Sequence, residues 1–245
     1  MIRLSVNVNK VATLRNSRGG AMPSVVEAAE VCLAAGAGGI TVHPRLDQRH
    51  IRPDDVRELA VLLHEPRTRG IEYNIEGDPR PEWLALVHEV RPDQATLVPV
   101  RPGEVTSEAG WSEQASDELQ GVIGELHRAG IRVSVFVDAK PSSVEWAQRV
   151  GAERVELYTG PFAAAHARGA SEGRAVFAEH VLAAKRAHAL GLGINAGHDL
   201  DLDNLPLYRT LPHLAEVSIG HALMSRALFV GLERTVREYL TVLAG

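Results

Sequence analysis

The feature that most constrains this chain is a unit of apolar strand, turn and amphipathic helix that recurs from one end to the other. Runs of β type are expected at residues 4–8, 39–43, 71–75, 95–99, 133–138, 154–158, 191–195 and 215–219. Helical patterns fill the intervals, at about 23–35, 53–65, 81–90, 114–129, 142–150, 171–189, 202–209 and 222–243. Several open on Pro or Ser in the first turn, and AAGAGG, HRAGIR, RVGAER and HALGLG place a helix-stopping glycine directly before the next strand. Alternation of this kind needs a parallel sheet covered by helices, and eight units of roughly 30 residues fit a closed barrel of about 250. The expected fold class is therefore α/β: a single-domain (β/α)8 TIM barrel over residues 1–245, with a few extra short helices. An open doubly wound sheet is the alternative, and against it the first βα turn has no G-x-G-x-x-G.

Composition narrows the function classes. The 245 residues are 45% hydrophobic and 23% charged, the proportions of a chain that buries a substantial core. Lys and Arg total 26 against 31 Asp and Glu. With no basic block either, the phosphate attraction that nucleic-acid binding requires is missing. The longest apolar stretches, such as 133–137, are far shorter than the roughly 20 residues that span a bilayer. The opening MIRLSVNVNK has no apolar signal core, so neither a membrane nor a nucleic-acid partner is expected and the localisation expected is cytoplasmic. The single cysteine, Cys32, precludes an internal disulfide. Its flanks VEAAEVCLAAGAG read as a buried helix face, where a free thiol acts as a small hydrophobe.

Active sites in a barrel of this type sit at the C-terminal ends of the strands, and there the polar residues gather. The eight ends supply Asn7 with Asn9 and Lys10, His43 with Arg45, Asn74 with Glu76, Thr106 in the loop after strand four, Asp138, Thr159 with Gly160, Asn195 with His198, and Gly220 with His221. Such groups beside apolar strands are costly to desolvate unless they are paired or used.

Six stretches stand out. Arg15-Asn16-Ser17-Arg18-Gly19-Gly20 puts two guanidiniums beside a flexible glycine pair, suited to gripping a phosphate, although for this segment alone a solvated loop is the slightly better reading, arginine being common on surfaces. ITVHPRLDQRH delivers His43 at a strand end, where an imidazole exchanges protons near neutral pH, then Arg45 and His50; His50 reads as either a site or a structural group. Alternation in IEYNIEG sets Glu72, Asn74 and Glu76 on one face, toward the interior or toward the helices. Glu76 at the mouth is then a candidate general base with a raised pKa, or else the partner of an arginine such as Arg45. NAGH and SIGH after strands seven and eight place Gly197 and Gly220 where this fold commonly holds phosphate on backbone N–H groups. VRPGEVTSEAGW at 100–111 is long for a βα connection and reads as a lid. A metal cage of His43, His198, His221 and Glu76 is the competing chemistry; no H-x-H or H-E-x-x-H spacing supports it, and no metal or other cofactor is expected.

Through VNVNKVATLRNSRGG, GITVHPRLDQRHI, YNIEG, ATLVPVRPGEVTSEAGW, LYTGPFA, GINAGHDL and EVSIGHALMSRALFVGL, in that order and over essentially the whole length, the chain resembles the pyridoxine 5′-phosphate synthase family. The resemblance implies a cytoplasmic, metal-free (β/α)8 enzyme, an octamer built from dimers. Its reaction would condense 1-deoxy-D-xylulose 5-phosphate with 3-amino-2-oxopropyl phosphate to pyridoxine 5′-phosphate, phosphate and water. It carries proton-transfer roles onto His43, Glu76 and His198, substrate binding onto Asn7, Arg18, Arg45, His50 and Thr106, and phosphate-holding amides onto Asp199, Gly220 and His221. Two departures touch these positions. Asn9-Lys10 stands where the family's commonest pattern has Asp-His, and Asp199 where it has Gly. Asn9 and Lys10 are expected to keep substrate binding with altered affinity, and Asp199 to contribute only its backbone N–H, because an inward carboxylate would repel phosphate. The rivals are another phosphate-handling barrel, an aldolase or isomerase with a Schiff-base lysine at Lys10 or Lys140, and a metabolite-binding barrel without turnover.

Overall fold

The computed structural model describes residues 1–100, 107–112 and 115–245. Among these are eight strands: β1 (Arg3–Asn7), β2 (Gly39–Val42), β3 (Glu72–Gly77), β4 (Gln94–Leu97), β5 (Arg132–Asp138), β6 (Arg154–Tyr158), β7 (Gly193–Gly197) and β8 (Leu214–Ile219). The helices are α1 (Asn9–Asn16), α2 (Val25–Ala34), α3 (Pro53–Leu63), α4 (Pro81–Val90), α5 (Ser116–Arg128), α6 (Pro141–Arg149), α7 (Gly160–Arg168), α8 (Ala170–Ala189), α9 (Leu205–Tyr208), α10 (His221–Val230) and α11 (Leu232–Ala244). Each strand runs parallel to the next and β8 pairs with β1, closing a (β/α)8 TIM barrel.

Local chemistry sets most boundaries. Proline opens α3, α4 and α6, where its missing N–H costs nothing, and Ser24 accepts from the amide of Glu27 to start α2. Gly130 and Gly191, both at φ 78°, end α5 and α8 in the left-handed conformation. Because Gly191 belongs to that turn, β7 begins and ends two residues later than its pattern suggests, and Asn195 becomes a mid-strand residue. The expected extra helices include α1, directly after β1, and α7, directly before α8. The single C-terminal pattern is in fact two helices, broken at Gly231 with φ 89°.

The hydrophobic core lies between strands and helices, with Val6, Ile40, Ile75, Leu97, Val135, Leu157 and Val217 buried against the helical layer together with Cys32. Inside the barrel the filling is polar, against the bulky branched layers usual for this fold. Ser5 and Thr41 share a hydrogen bond at 2.7 Å, Thr96 donates to Asn74 at 2.8 Å, and Arg154 donates to Asn195 at 2.7 Å. Arg3 and Arg132 both grip Glu72. The open question of where Glu72, Asn74 and Glu76 face is thus answered by the alternation in β3: they point inward, while Tyr73 and Ile75 pack outward. No helix among the described residues is long and apolar enough to cross a membrane.

Candidate active site

The C-terminal ends of the strands surround a cavity of about 560 Å³. Asn7, Asn9, Lys10, His43, Arg45, His50, Glu76, His198, Asp199, Gly220 and His221 all line it. Asn7 ends β1 and its Oδ1 accepts from the amide of Asn9 at 3.1 Å; Asn9 in turn accepts from the amide of His43 at 2.9 Å. The start of α1 therefore fixes the residue just beyond β2, and the Asn9 departure has a structural task at the rim.

His43 is buried, with Nδ1 3.8 Å from Oε2 of Glu76 and Nε2 without a hydrogen-bond partner among the described residues. Burial, followed by the charges of His50, Arg45, Arg80 and Arg49, holds this imidazole well below its ordinary range. Glu76 moves the opposite way: burial, then the carboxylates of Glu156 and Glu216, pushes it well above the usual carboxylate range. Burial thus favours the neutral form of both groups, and the unpartnered Nε2 of His43 is a ring nitrogen placed to accept a proton. Arg45 instead lies by Asp47, at 3.6 Å.

His50 is buried and accepts from the amide of Ile51 at Nδ1, 2.9 Å. Burial with Arg45, Arg49 and Lys10 nearby lowers it to about 4, so the neutral ring presents Nε2–H as a donor. These cations make one wall of the cavity positive. Elsewhere on the lining, His198 and Asp199 follow β7 with φ 91° and 58°, and α10 begins at the rim with Gly220 and His221, whose helix-starting amides have no intrahelical partners.

Several expected roles fall elsewhere. Arg15 is buried in α1 and bound twice to Asp55, with Nη2 to Oδ2 at 2.8 Å, so it cannot reach a ligand. Arg18 is exposed beyond the cavity lining. Asn74 and Asn195 lie within the barrel's polar network, below the cavity. Asp138 accepts from the amide of Gly110 at 3.1 Å, and Thr159 donates to the carbonyl of Gly197 at 2.6 Å. An added Cβ on Gly197 would meet Glu156 Oε1 at 2.3 Å, so that glycine makes room for a carboxylate; at Gly220 it would meet Asn7 at 3.1 Å. Thr106 and half of the expected lid lie outside the described residues, although Ser107 and Trp111 are tied to the carbonyls of Pro99 and Leu97, each at 3.0 Å. Among the described residues no group of three or more His, Cys, Asp or Glu is placed to hold a metal ion.

One group escaped the sequence reading. Glu156, inward from β6, lines the cavity, and burial pushes it up to about 7 against the lowering effect of His198. Its signal was an acid inside the apolar run VELY, at the same phase as Tyr158. Acids, neutral imidazoles, cations and helix-starting amides around one cavity can hold dianionic phosphates while protons move between them.

Residues 4–245 match the family model described as pyridoxal phosphate biosynthesis protein PdxJ. The chain is 55% identical over 241 residues to a pyridoxine 5′-phosphate synthase of Bacteroides thetaiotaomicron, covering 98% of each chain. To that of Leptospira biflexa it is 50% identical over 254 residues, covering 100% of this chain and 98% of the other. Among solved structures, 3-hexulose-6-phosphate synthase from Salmonella typhimurium superposes with a TM-score of 0.65 at 13% identity, over 99% of each chain, which speaks for the fold alone.

Proposed function

The chain belongs to the PdxJ family of pyridoxal phosphate biosynthesis proteins, and from that premise we propose how its cavity works as a pyridoxine 5′-phosphate synthase. The substrates are 1-deoxy-D-xylulose 5-phosphate and 3-amino-2-oxopropyl phosphate; the products are pyridoxine 5′-phosphate, phosphate and water. The observation that carries the reading is the buried His43 3.8 Å from the buried Glu76, with its Nε2 unpartnered among the described residues, in a cavity that Lys10, Arg45 and Arg49 also line.

The amine of one substrate must attack the ketone of the other, water and phosphate must leave, and C–H protons must be removed before the ring closes and aromatises. His43 accepts the first proton through its unpartnered Nε2. Glu76 starts as an acid and becomes a base once it has given its proton away. His198 donates to a leaving oxygen. Lys10, Arg45 and the Nε2–H of His50 bind one phosphate-bearing substrate, while the amides of Asp199, Gly220 and His221 hold the other phosphate. Asn7, Arg18 and Thr106 complete the set carried over from the resemblance. Arg18 would need the loop after α1 to move or a second subunit to bring it in.

The working form is a homo-oligomer, an octamer built from dimers, in the cytoplasm. Exposed Leu14 on α1 and Leu228 and Phe229 on α10, helices that touch one another, support an interface there. Light scattering on the eluting protein tests the assembly. Incubation with both substrates, with detection of pyridoxine 5′-phosphate, tests the activity. Binding of both without product would mark a metabolite-binding barrel, and a borohydride-trapped adduct on Lys10 would mark Schiff-base chemistry instead.

A further inference from the structure

The turn after β7 holds an arrangement that the reaction scheme above does not use. Nδ1 of His198 lies 3.0 Å from Oδ2 of Asp199, the residue that stands where the family pattern quoted above has glycine. Both residues have positive φ, 91° and 58°, a conformation uncommon for side-chain-bearing residues and persistent only where the surroundings enforce it. The enforcement is visible. Thr159 donates its hydroxyl to the carbonyls of both Gly197 and His198, Asn204 donates to the carbonyl of Asp199 at 3.0 Å, and the ring of Tyr158 meets the imidazole edge-on at 5.2 Å and 84°.

We propose that Asp199 is a positioning residue that forms a carboxylate–imidazole dyad with His198. Its Oδ2 accepts the Nδ1 proton, which fixes the tautomer and leaves Nε2 as the atom that carries the exchanged proton. As the imidazolium donates, the Nε2 proton passes to the leaving oxygen and the neutral ring keeps its Nδ1–H on the carboxylate. The carboxylate that was expected to be idle is thus turned onto the imidazole and away from a bound phosphate. Asp199 is itself held below the usual carboxylate range by the hydrogen bond from His198, with His221 at the start of α10 adding to the effect. The other groups facing the ring are Glu156 and the phenol of Tyr158, both from β6.

The dyad deepens the synthase reading and rests on it for its catalytic half. The test is Asp199→Asn, which keeps the size, the backbone N–H and the tolerance for positive φ while removing the charge. The imidazole of His198 is followed by NMR in the histidine-labelled full chain, its resonance assigned by loss in His198→Gln. Its titration midpoint is expected to fall by about 0.5–1 pH unit at low salt, the range fitting a half-exposed partner. In the same variant kcat at pH 8 falls about 3- to 10-fold relative to wild type, and the fall shrinks toward pH 6. A midpoint that does not move overturns the dyad whatever the activity. A midpoint that moves while kcat keeps the wild-type pH profile overturns the assignment of Nε2 as proton carrier. Absence of turnover in the wild-type protein would sink the synthase reading, and the NMR arm would still decide the dyad.

Discussion

Nδ1 of His43 and Oε2 of Glu76 lie 3.8 Å apart, and burial moves the two in opposite directions, the imidazole below its ordinary range and the carboxyl above its own. Glu76→Gln copies the protonated acid in shape and charge but can neither give up nor take a proton. We expect it to fold with an unchanged melting profile and to lose at least about 10²-fold in kcat. His43→Ala should lose at least as much. Near-normal turnover in either variant would remove that residue from the mechanism.

Glu156 makes the stability of the barrel depend on pH with a definite sign. Its pKa rises from the ordinary 4.5 to about 7 on folding. Between those values the folded chain holds a proton that the unfolded chain has released. The favourable contribution is therefore complete below about pH 4.5 and is lost as pH rises through 7. At pH 8 the burden of the ionised, buried carboxylate is on the order of 3 kcal/mol. Glu156→Gln should thus gain most of that amount over wild type in urea unfolding at pH 8 and little at pH 4.5. A difference that stays constant across this range would show that Glu156 is not the titrating group.

The two arginines of the stretch after β1 should part company. Arg15 is buried against Asp55, and its removal leaves a buried carboxylate without its cation. Arg15→Met is expected to destabilise the fold by about 3–5 kcal/mol. Arg18 is exposed, and Arg18→Met should leave unfolding within about 0.5 kcal/mol of wild type. If Arg18 binds substrate as the resemblance implies, its variant raises KM with a normal melting curve. Equal effects of the two variants on denaturation midpoints would contradict the placement of Arg15.

The barrel and the rim were legible in the sequence because strand alternation and helix-stopping glycines are local signals, and His43 and Glu76 fall where those signals end a strand. What was hidden depends on distant partners. Nothing near Arg15 announces Asp55, forty residues on, and so both arginines looked available. The two-residue displacement of β7 arose because Gly191 serves a helix end as naturally as a strand start, and it moved Asn195 from the rim to the interior. Glu156 was missed because a lone acid in an apolar strand has no meaning until the neighbouring strands supply Glu76 and His198. Asp199 was read as a bare amide because a sequence does not say which way a carboxylate turns.

Gly197 tests how tightly the site is fitted. A Cβ there would stand 2.3 Å from Oε1 and 3.3 Å from Cδ of Glu156, with the carbonyl of Ser218 also at 3.3 Å. The carboxylate is the end of a side chain and can swing away, whereas β8 cannot. Gly197→Ala should therefore displace Glu156 within the cavity, costing about 1–3 kcal/mol of stability and more than about tenfold in kcat. The attribution to Glu156 is checked by a double-mutant cycle. In a Glu156→Ala background the space is already vacant, so the added methyl should cost well under 1 kcal/mol, giving a coupling of about 1–2 kcal/mol. An alanine that costs the same in both backgrounds would place the steric conflict with the Ser218 carbonyl and not with the carboxylate.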